Sequence, residues 1–481
     1  MTIRRRNQGQ QPRLVARLDH RRVARLDHRR VAGIAVLVAL LAVACGPSVS
    51  SPRSGQATDS APPTPAATPT PAAVLTPGAT PTAAADAIYR EIATQVSVIR
   101  QLDAPDRVEP AVIDGPTLLA NLQKEFEDSN PPDEIAKSER LLKVMGLLAP
   151  DVSLAQVYLE LQGSQVIGYY DPKVKELFIV SRDGVLGAIE ELTYAHEFTH
   201  ELQDRHFDLN SLGLDTIKDN SDRVLAILAL VEGDAVSAQT AWMAANLTPA
   251  QLGEVAAKAS DPAMLAVLAR TPRILLETAL FPYQAGAAFV AHLQAQGGYA
   301  SVNAAYKKLP ASTEQILHPG APAGGLAPIP LVVPTDLAAR LDPGWTVAAQ
   351  DTFGELQTRV WLREGGVPGD VARIAAEGWG GDRITLLSGP AGPSAGVGEA
   401  SAIPAGPSAG ADAASAIVWV TVWDSDPDAA EFAAAARTAV AGMGLDAVIA
   451  RSGKKVVIGI RTGPTPTNVV LRMIVDSLAR G

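Results

Sequence analysis

"AHEFTHELQDRH", residues 195–206, contains three of the chain's seven histidines and a glutamate directly after the first of them. His196 and His200 are four residues apart, so in an α-helix both imidazoles lie on one face and can reach one ion at roughly 2.0–2.1 Å. Glu197 points beside this axis, toward the position of an attacking water, and can accept its proton. The HExxH pattern therefore predicts a catalytic zinc site.

The residues before the motif predict how this helix is placed. The runs "QVIGYY" (165–170) and "ELFIV" (176–180) flank the turn "DPKVK", which favours a β-hairpin. Apolar residues and the two histidines then recur at helical spacing, at Val185, Ile189, Leu192, His196 and His200. We predict a hairpin followed directly by a helix of about twenty residues, with both histidines on its inward face.

Two residues compete for the position of third ligand, and the first is His206. It lies ten residues after His196, the spacing of the metzincin pattern HExxHxxGxxH, in which a glycine lets the chain turn back to the ion. Gln203 stands at the glycine position, where a positive φ is costly. In a continuous helix His206 would lie about 9 Å beyond His200 and about 120° around the axis. We therefore expect His206 to pack or to hydrogen bond rather than to bind metal.

Glu232 is the better candidate. It lies in "VLAILALVEGDAVSAQTAWMAA" (224–245), which is apolar on nearly every side and predicts a buried helix. An unpaired carboxylate there is expensive, and coordination to zinc would remove the cost; an ion pair with arginine, or exposure to solvent, is the alternative. A ligand histidine would be oriented by a neighbouring carboxylate, and the sequence does not choose among Asp234, Asp204 and Asp208.

These motifs carry a resemblance. HEFTH on a helix after a hairpin, followed by a glutamate on a second helix, resembles the gluzincin, thermolysin-like branch of zinc metallopeptidases. The blocks "HEFTHELQDRHFDL", "LVEGDA", "STEQILHP" and "GWGGDR" are similar to an uncharacterised group of bacterial exported proteins regarded as metallopeptidases, over most of 165–385. The resemblance implies a zincin-like fold, zinc as cofactor, His196, His200 and Glu232 as ligands, and Glu197 as general base.

The N-terminal segment predicts export. Ten arginines in the first thirty residues precede the apolar run "VAGIAVLVALLAVA" (31–44), which is too short to span a bilayer comfortably and ends at the chain's only cysteine, Cys45. This arrangement resembles a bacterial lipoprotein signal, with Cys45 as the lipid-bearing residue. Residues 46–86 are mostly Pro, Thr, Ala, Ser and Gly and predict a disordered tether with a span of roughly 35 Å or more.

The fold class that follows is α+β. We predict a lipoprotein signal segment (1–45), the tether (46–86), a mostly helical zincin-like metallopeptidase domain (87–380) and a small α+β domain (381–481). A low-complexity insertion at 389–413 repeats "AGPSAG". Around it, "ITLLS", "AIVWVTVW" and "KKVVIGIR" predict strands, with helices beginning near Ser425 and Thr467.

The functional prediction is a membrane-tethered, extracytoplasmic zinc metallopeptidase, anchored by its N-terminal lipid to the bacterial cell membrane. Its substrate is a peptide or protein, and we expect "QVIGYY" or "ELFIV" to act as an edge strand that binds extended peptide. The candidate oxyanion donors are His318, Tyr169 and Tyr170. The alternative is a catalytically inactive zincin-fold lipoprotein that binds peptide or envelope polymer.

Nucleic acid is excluded as a partner by charge. Beyond the arginine-rich first thirty residues, the chain carries a formal charge of about −18. Phosphate backbones would repel such a body, and no basic stripe with interleaved aromatic residues offsets that repulsion.

Overall fold

The computed structural model describes residues 76–78, 82–105, 109–129, 131–180, 186–321, 327–390 and 414–481. Within these ranges the chain is mixed α+β, about 60% helical, with two small sheets. The predicted α+β class is confirmed. The signal segment with Cys45, most of the tether and residues 391–413 of the insertion lie outside the described residues.

The elements are numbered here in chain order. The helices are α1 (Ala83–Arg100), α2 (Gly115–Ser129), α3 (Pro132–Val144), α4 (Leu154–Gln165), α5 (Ala188–Phe207), α6 (Ser221–Asn246), α7 (Pro249–Ala259), α8 (Pro262–Arg270), α9 (Arg273–Lys307), α10 (Thr313–Leu317), α11 (Gly354–Glu364), α12 (Gly369–Ala376), α13 (Asp426–Gly442) and α14 (Asn468–Arg480). The strands are β1 (Ala111–Ile113), β2 (Gly168–Asp171), β3 (Glu176–Val180), β4 (Thr346–Asp351), β5 (Trp379–Ser388), β6 (Ser415–Trp423), β7 (Asp446–Ser452) and β8 (Lys455–Thr462).

The first sheet contains the predicted hairpin. Its order is β1-β3-β2, with β2 and β3 antiparallel and β1 parallel to β3. The hairpin is confirmed, but the expectation that "ELFIV" could be an edge strand is wrong, because β1 pairs with its second side. The sequence did not predict β1, because this strand has only three residues and lies far upstream of the hairpin. The edge next to the predicted zinc helix is β2.

Helix α5 carries the HExxH motif and is twenty residues long, as predicted. At its N-terminus the Glu190 side chain accepts a hydrogen bond from the Gly187 N–H at 3.0 Å, which satisfies one otherwise unpaired donor. The helix ends at Phe207 and is capped by Asp208, which adopts the left-handed conformation with φ 51°. Because His196 and His200 are both buried, the motif faces the interior. Val185, placed on this face by the sequence, lies outside the described residues.

Helix α6 is the predicted buried helix, and α9 crosses it at very short range. A Cβ added to Gly233 of α6 would lie 2.2 Å from the backbone C and O of Gly286 in α9. A Cβ on Gly286 would lie 2.2 Å from the backbone O of Ala229. Only glycine permits this approach of two backbones. The crossing fixes the position of Glu232, which is adjacent to Gly233.

Both of these helices are long and apolar enough to cross a membrane by length and composition. In α6, 83% of the most apolar window is buried inside the fold, and in α9 the share is 44%. Mutual packing of two apolar helices in a protein core accounts for this composition as well. Helix α9 is broken at Gly297 and Gly298, and Gly298 has a φ of 63° that favours glycine.

The C-terminal sheet has the order β4-β5-β6-β8-β7, with every neighbouring pair antiparallel. Side chains of β6 alternate between two buried faces: Ile417 and Trp419 join the core shared with the helical part, and Val418 packs toward α14. The predicted strands and helices of this region are therefore confirmed. The insertion connects β5 to β6, whose Ser388 and Ser415 are paired.

Two predicted boundaries need correction. Residue 381 lies inside β5, and the sheet already begins with β4 at Thr346, because β4 pairs with β5. One core extends from the helices into this sheet, as the hydrogen bond from Trp361 Nε1 to the Met145 carbonyl at 3.0 Å illustrates. The tether ends before residue 86, since α1 begins at Ala83. Alanines favour a helix there, and the Thr82 hydroxyl accepts from the Ala85 N–H at 3.3 Å.

Candidate metal centre

Three buried side chains from α5 and α6 converge on one point. Nε2 of His196 lies 3.1 Å from Nε2 of His200, and Oε2 of Glu232 lies 3.3 Å from each of these nitrogens. His196 is fully buried, and His200 and Glu232 are each 3% exposed. We call these three residues the metal triangle. Among the residues that the structure describes, no other histidine, cysteine or acidic group forms such a cluster.

The geometry of the metal triangle fits zinc. Tetrahedral coordination at roughly 2.0–2.1 Å places neighbouring donor atoms about 3.3 Å apart. The observed separations of 3.1 and 3.3 Å agree with that spacing. The donors are two imidazole nitrogens and one carboxylate oxygen, which suit zinc among the common divalent ions. Three protein donors leave a fourth position for water or substrate, as in catalytic zinc sites.

The charges in the metal triangle suit a cation. Burial raises the pKa of Glu232, but the two histidines lower it more, so the pKa lies below its usual range and the carboxylate is ionised. Burial also lowers the pKa of His196, despite the opposing effect of Glu232. Burial lowers the pKa of His200, but Glu232 and Glu197 raise it more, to about 9. Glu232 and His196 thus favour the states that bind metal, whereas His200 would release a proton when a metal binds.

Glu197 lies directly beside the metal triangle and is fully buried. Its Oε2 accepts a hydrogen bond from the Tyr170 N–H at 3.0 Å, whereas its buried Oε1 has no partner in the described structure. Burial raises the pKa of Glu197 to about 8; His200 opposes this rise and Glu232 adds to it. One oxygen is therefore positioned by the backbone of β2, and the other is available to a ligand.

Gln203, which in the sequence stands only as an obstacle to a metzincin-like turn, is the hydrogen-bond partner of His200 Nδ1. Its Oε1 lies 2.8 Å from Nδ1 of His200, and its Nε2 donates to the Val231 carbonyl at 2.9 Å and to Asp234 at 3.1 Å. Of the three aspartates predicted to orient a ligand histidine, Asp234 is the one connected to His200, through Gln203. The i,i+3 spacing on α5 was the available signal, because such residues are neighbours on a helix.

Gln239 and Tyr283 also lie next to the metal triangle, and neither was indicated by the sequence. Gln239 of α6 donates from Nε2 to the Leu192 carbonyl at 3.1 Å, and its nearby side chain raises the pKa of His196 against the larger effect of burial. The ring of Tyr283 in α9 lies 6.4 Å from the ring of His196, between centroids. Burial and the charges of Glu232 and Glu197 raise the pKa of Tyr283 well above its usual range, and its hydroxyl hydrogen bonds to Glu232.

The remaining aspartate and tyrosine candidates occupy other positions. Asp204 is buried and accepts from the Tyr170 hydroxyl at 2.8 Å and from Lys175 Nζ at 2.6 Å, so it joins α5 to the hairpin. Asp208 ends α5 at its exposed terminus. The Tyr169 hydroxyl accepts from Asn121 Nδ2 at 3.0 Å. Neither tyrosine hydroxyl is thus directed at the metal triangle, although Tyr170 supplies its backbone to Glu197.

The other two predicted histidines lie apart from the triangle. His206 is exposed, and its Nδ1–H donates to the Leu202 carbonyl at 2.8 Å within the same helix. His318 binds Glu355 of α11, with Nε2 at 2.9 Å from Oε2. This hydrogen bond raises the pKa of His318. His318 therefore belongs to the contact between α10 and α11.

A small cleft, partly open to solvent, reaches the metal triangle. Apart from His200 and Glu232, its walls come from the hairpin, from the loop after α5 and from α6: Tyr170, Pro172, Leu209, Asn210, Leu214, Asp215, Leu228 and Val231. The loop is joined to the hairpin turn by a hydrogen bond from Asn210 Nδ2 to the Pro172 carbonyl at 2.9 Å. The cleft is consequently narrow and largely apolar, with the two metal-triangle residues at its base.

Comparison with known proteins bears on the C-terminal part alone. A family model described as a domain of unknown function (DUF8575) matches residues 344–476. No curated protein and no solved structure matches the chain. The matched range begins just before β4 and covers the five-stranded sheet, less than half of the chain, and it does not include the metal triangle.

Proposed function

We propose that this protein is a zinc-dependent metallopeptidase that hydrolyses peptide bonds at the metal triangle. The observation that carries the proposal is the convergence of His196, His200 and Glu232 at tetrahedral donor spacing beside the unpartnered Oε1 of Glu197. A structural zinc site would use four protein ligands, and this cluster has three. The HExxH pattern assigns the same roles, with the two histidines as metal ligands and Glu197 as general base.

Each residue has a defined part in the proposed reaction. His196, His200 and Glu232 would hold zinc, which supplies a Lewis acid that activates water and polarises a carbonyl oxygen, and whose charge favours the ionised form of Glu197. Glu197 accepts the proton of the attacking water through Oε1 and later donates it to the leaving amine. The Tyr170 N–H holds Oε2 and so orients the carboxylate toward the cleft.

The proposed substrate path is the cleft between the hairpin turn and the loop after α5. All four residues of β2 are buried, and the Tyr170 N–H is already bonded to Glu197, so this strand offers little free edge to a peptide near the site. We therefore propose that the peptide lies across the apolar walls of the cleft, and that strand addition to the hairpin is not needed.

The proposed location is outside the cytoplasm, with a lipid on Cys45 anchoring the chain to the bacterial cell membrane. The support is the basic, then apolar, then small-residue order that ends at Cys45. A lipid at Cys45 would connect the metallopeptidase to the membrane through the tether. The partners of the enzyme would then be peptides or proteins of the cell envelope or its surroundings.

The decisive experiment compares Glu197→Gln with Glu201→Gln in the full-length protein. The first substitution removes the base without removing a ligand, so we expect normal zinc content and a loss of most hydrolysis, about 10²-fold or more. Glu201 lies one turn later on α5 and outside the metal triangle, so its substitution is the matched control and should leave turnover near normal. Quenched fluorescent peptides report hydrolysis, and metal analysis reports zinc. Near-normal turnover in Glu197→Gln would reject the role of Glu197 as base, and a zinc-loaded wild type without hydrolysis would favour the non-enzymatic alternative.

A further inference from the structure

We propose that Gln203 is a positioning residue that fixes the tautomer and ring orientation of His200, and that the buried ion pair of Arg100 and Asp234 in turn fixes Gln203. The inference rests on the proposed zinc site, and it assigns the control of zinc affinity to a network that begins on a different helix.

The first link is determined by the amide of Gln203. Its Nε2 has two acceptors, the Val231 carbonyl at 2.9 Å and Oδ2 of Asp234 at 3.1 Å, so both of its protons are used. Oε1 is therefore the atom that faces Nδ1 of His200 at 2.8 Å, and as an acceptor it requires a proton on Nδ1. With the proton held on Nδ1, Nε2 is the nitrogen whose lone pair His200 can offer to a metal ion.

The second link is the carboxylate of Asp234. It is fully buried, and Oδ2 also accepts from Arg100 Nη2 and from the Tyr306 hydroxyl, each at 2.9 Å. Nε of Arg100 lies 2.7 Å from Oδ1. Because Arg100 and Tyr306 donate to its oxygens, Asp234 is an acceptor toward Gln203 as well. The amide is therefore prevented from flipping, which would direct Nε2 at His200.

The third link is Arg100, the last residue of α1. Its side chain is fully buried, its Nη2 also donates to Asn303 Oδ1 at 2.7 Å, and its guanidinium lies 4.6 Å from the centroid of the Tyr299 ring. A buried ion pair contributes little net stability compared with apolar packing. Since stability does not explain why this ion pair is buried, its function in the proposal is to orient Gln203.

The test measures zinc affinity by competition with a chelator in the full-length protein. Gln203→Met keeps the approximate volume of the side chain and removes the acceptor, and we expect zinc to bind about 10- to 100-fold more weakly. Gln162→Met makes the same change at another buried glutamine, on α4, and should leave zinc affinity unchanged.

The outcomes separate this inference from the proposed function. Selective weakening in Gln203→Met, with an altered visible spectrum of the cobalt-substituted protein, supports the positioning role. Unchanged affinity in Gln203→Met, while His200→Ala loses zinc, overturns the inference and leaves the zinc site intact. Equal losses in Gln203→Met and Gln162→Met would overturn the inference, because a general effect of losing a buried amide would then account for both. A wild-type protein that binds no zinc overturns the proposed function itself.

Discussion

The close crossing of α6 and α9 is tested by Gly233→Ala. The added Cβ would lie 2.2 Å from two backbone atoms of Gly286, whereas ordinary van der Waals contact begins at 3.4 Å, so the helices must separate by about 1 Å. Overpacking against backbone costs about 3 kcal/mol, and the gain in helix propensity returns about 1 kcal/mol. We expect the free energy of unfolding to fall by about 2 kcal/mol.

The same displacement should reach the metal triangle, because Glu232 precedes Gly233 directly. A shift of about 1 Å exceeds the tolerance of about 0.2 Å for ligand distances at a metal, so zinc affinity should fall as well. Urea denaturation and chelator competition measure the two effects. Gly253→Ala on α7 is the matched control: its Cβ would meet nothing within 4 Å, so stability should rise slightly. Unchanged stability and zinc binding in Gly233→Ala would refute the crossing as described.

Two other predictions concern the chain's terminus and a second buried acid. Cys45→Ser should leave the protein without lipid, shown by the mass of the processed product and by loss of membrane partition; unchanged mass and partition would contradict the anchor. Burial and then Glu355 raise the pKa of Glu314 to about 8, so stability should be lost as pH rises from about 4.5 to 8. Glu314→Gln should flatten that slope in unfolding measured against pH, and an unchanged slope would contradict the assignment.

Local patterns account for the parts of the fold that the sequence predicted. The hairpin, α5, α6 and the strands β5, β6 and β8 each contain their own periodicity or turn signal within a few residues. Strand β4, "TVAAQD", was missed because alanine, glutamine and aspartate are poor strand residues, and it forms only through its pairing with β5. The boundary at residue 381 was wrong for the same reason.

The candidate site also contains residues that local patterns predicted and residues that they did not. The i,i+4 pair of histidines and the cost of burying Glu232 are properties of single helices, and they brought the three residues of the metal triangle together in the prediction. Arg100, Gln203 and Asp234 lie on three helices far apart in the sequence, so only the folded chain joins them. Tyr283 likewise reaches Glu232 only because two glycines let α9 approach α6.

The most direct test of the metal triangle is the zinc affinity of Glu232→Ala compared with that of His206→Ala. Wild-type protein should contain stoichiometric zinc. Glu232→Ala removes a ligand and should weaken binding by more than ~100-fold, beyond the usual effect of an outer partner. His206→Ala removes an exposed side chain hydrogen bonded within its own helix, so zinc should remain stoichiometric. The reverse order in chelator titration would contradict the account and favour a metzincin-like turn through Gln203.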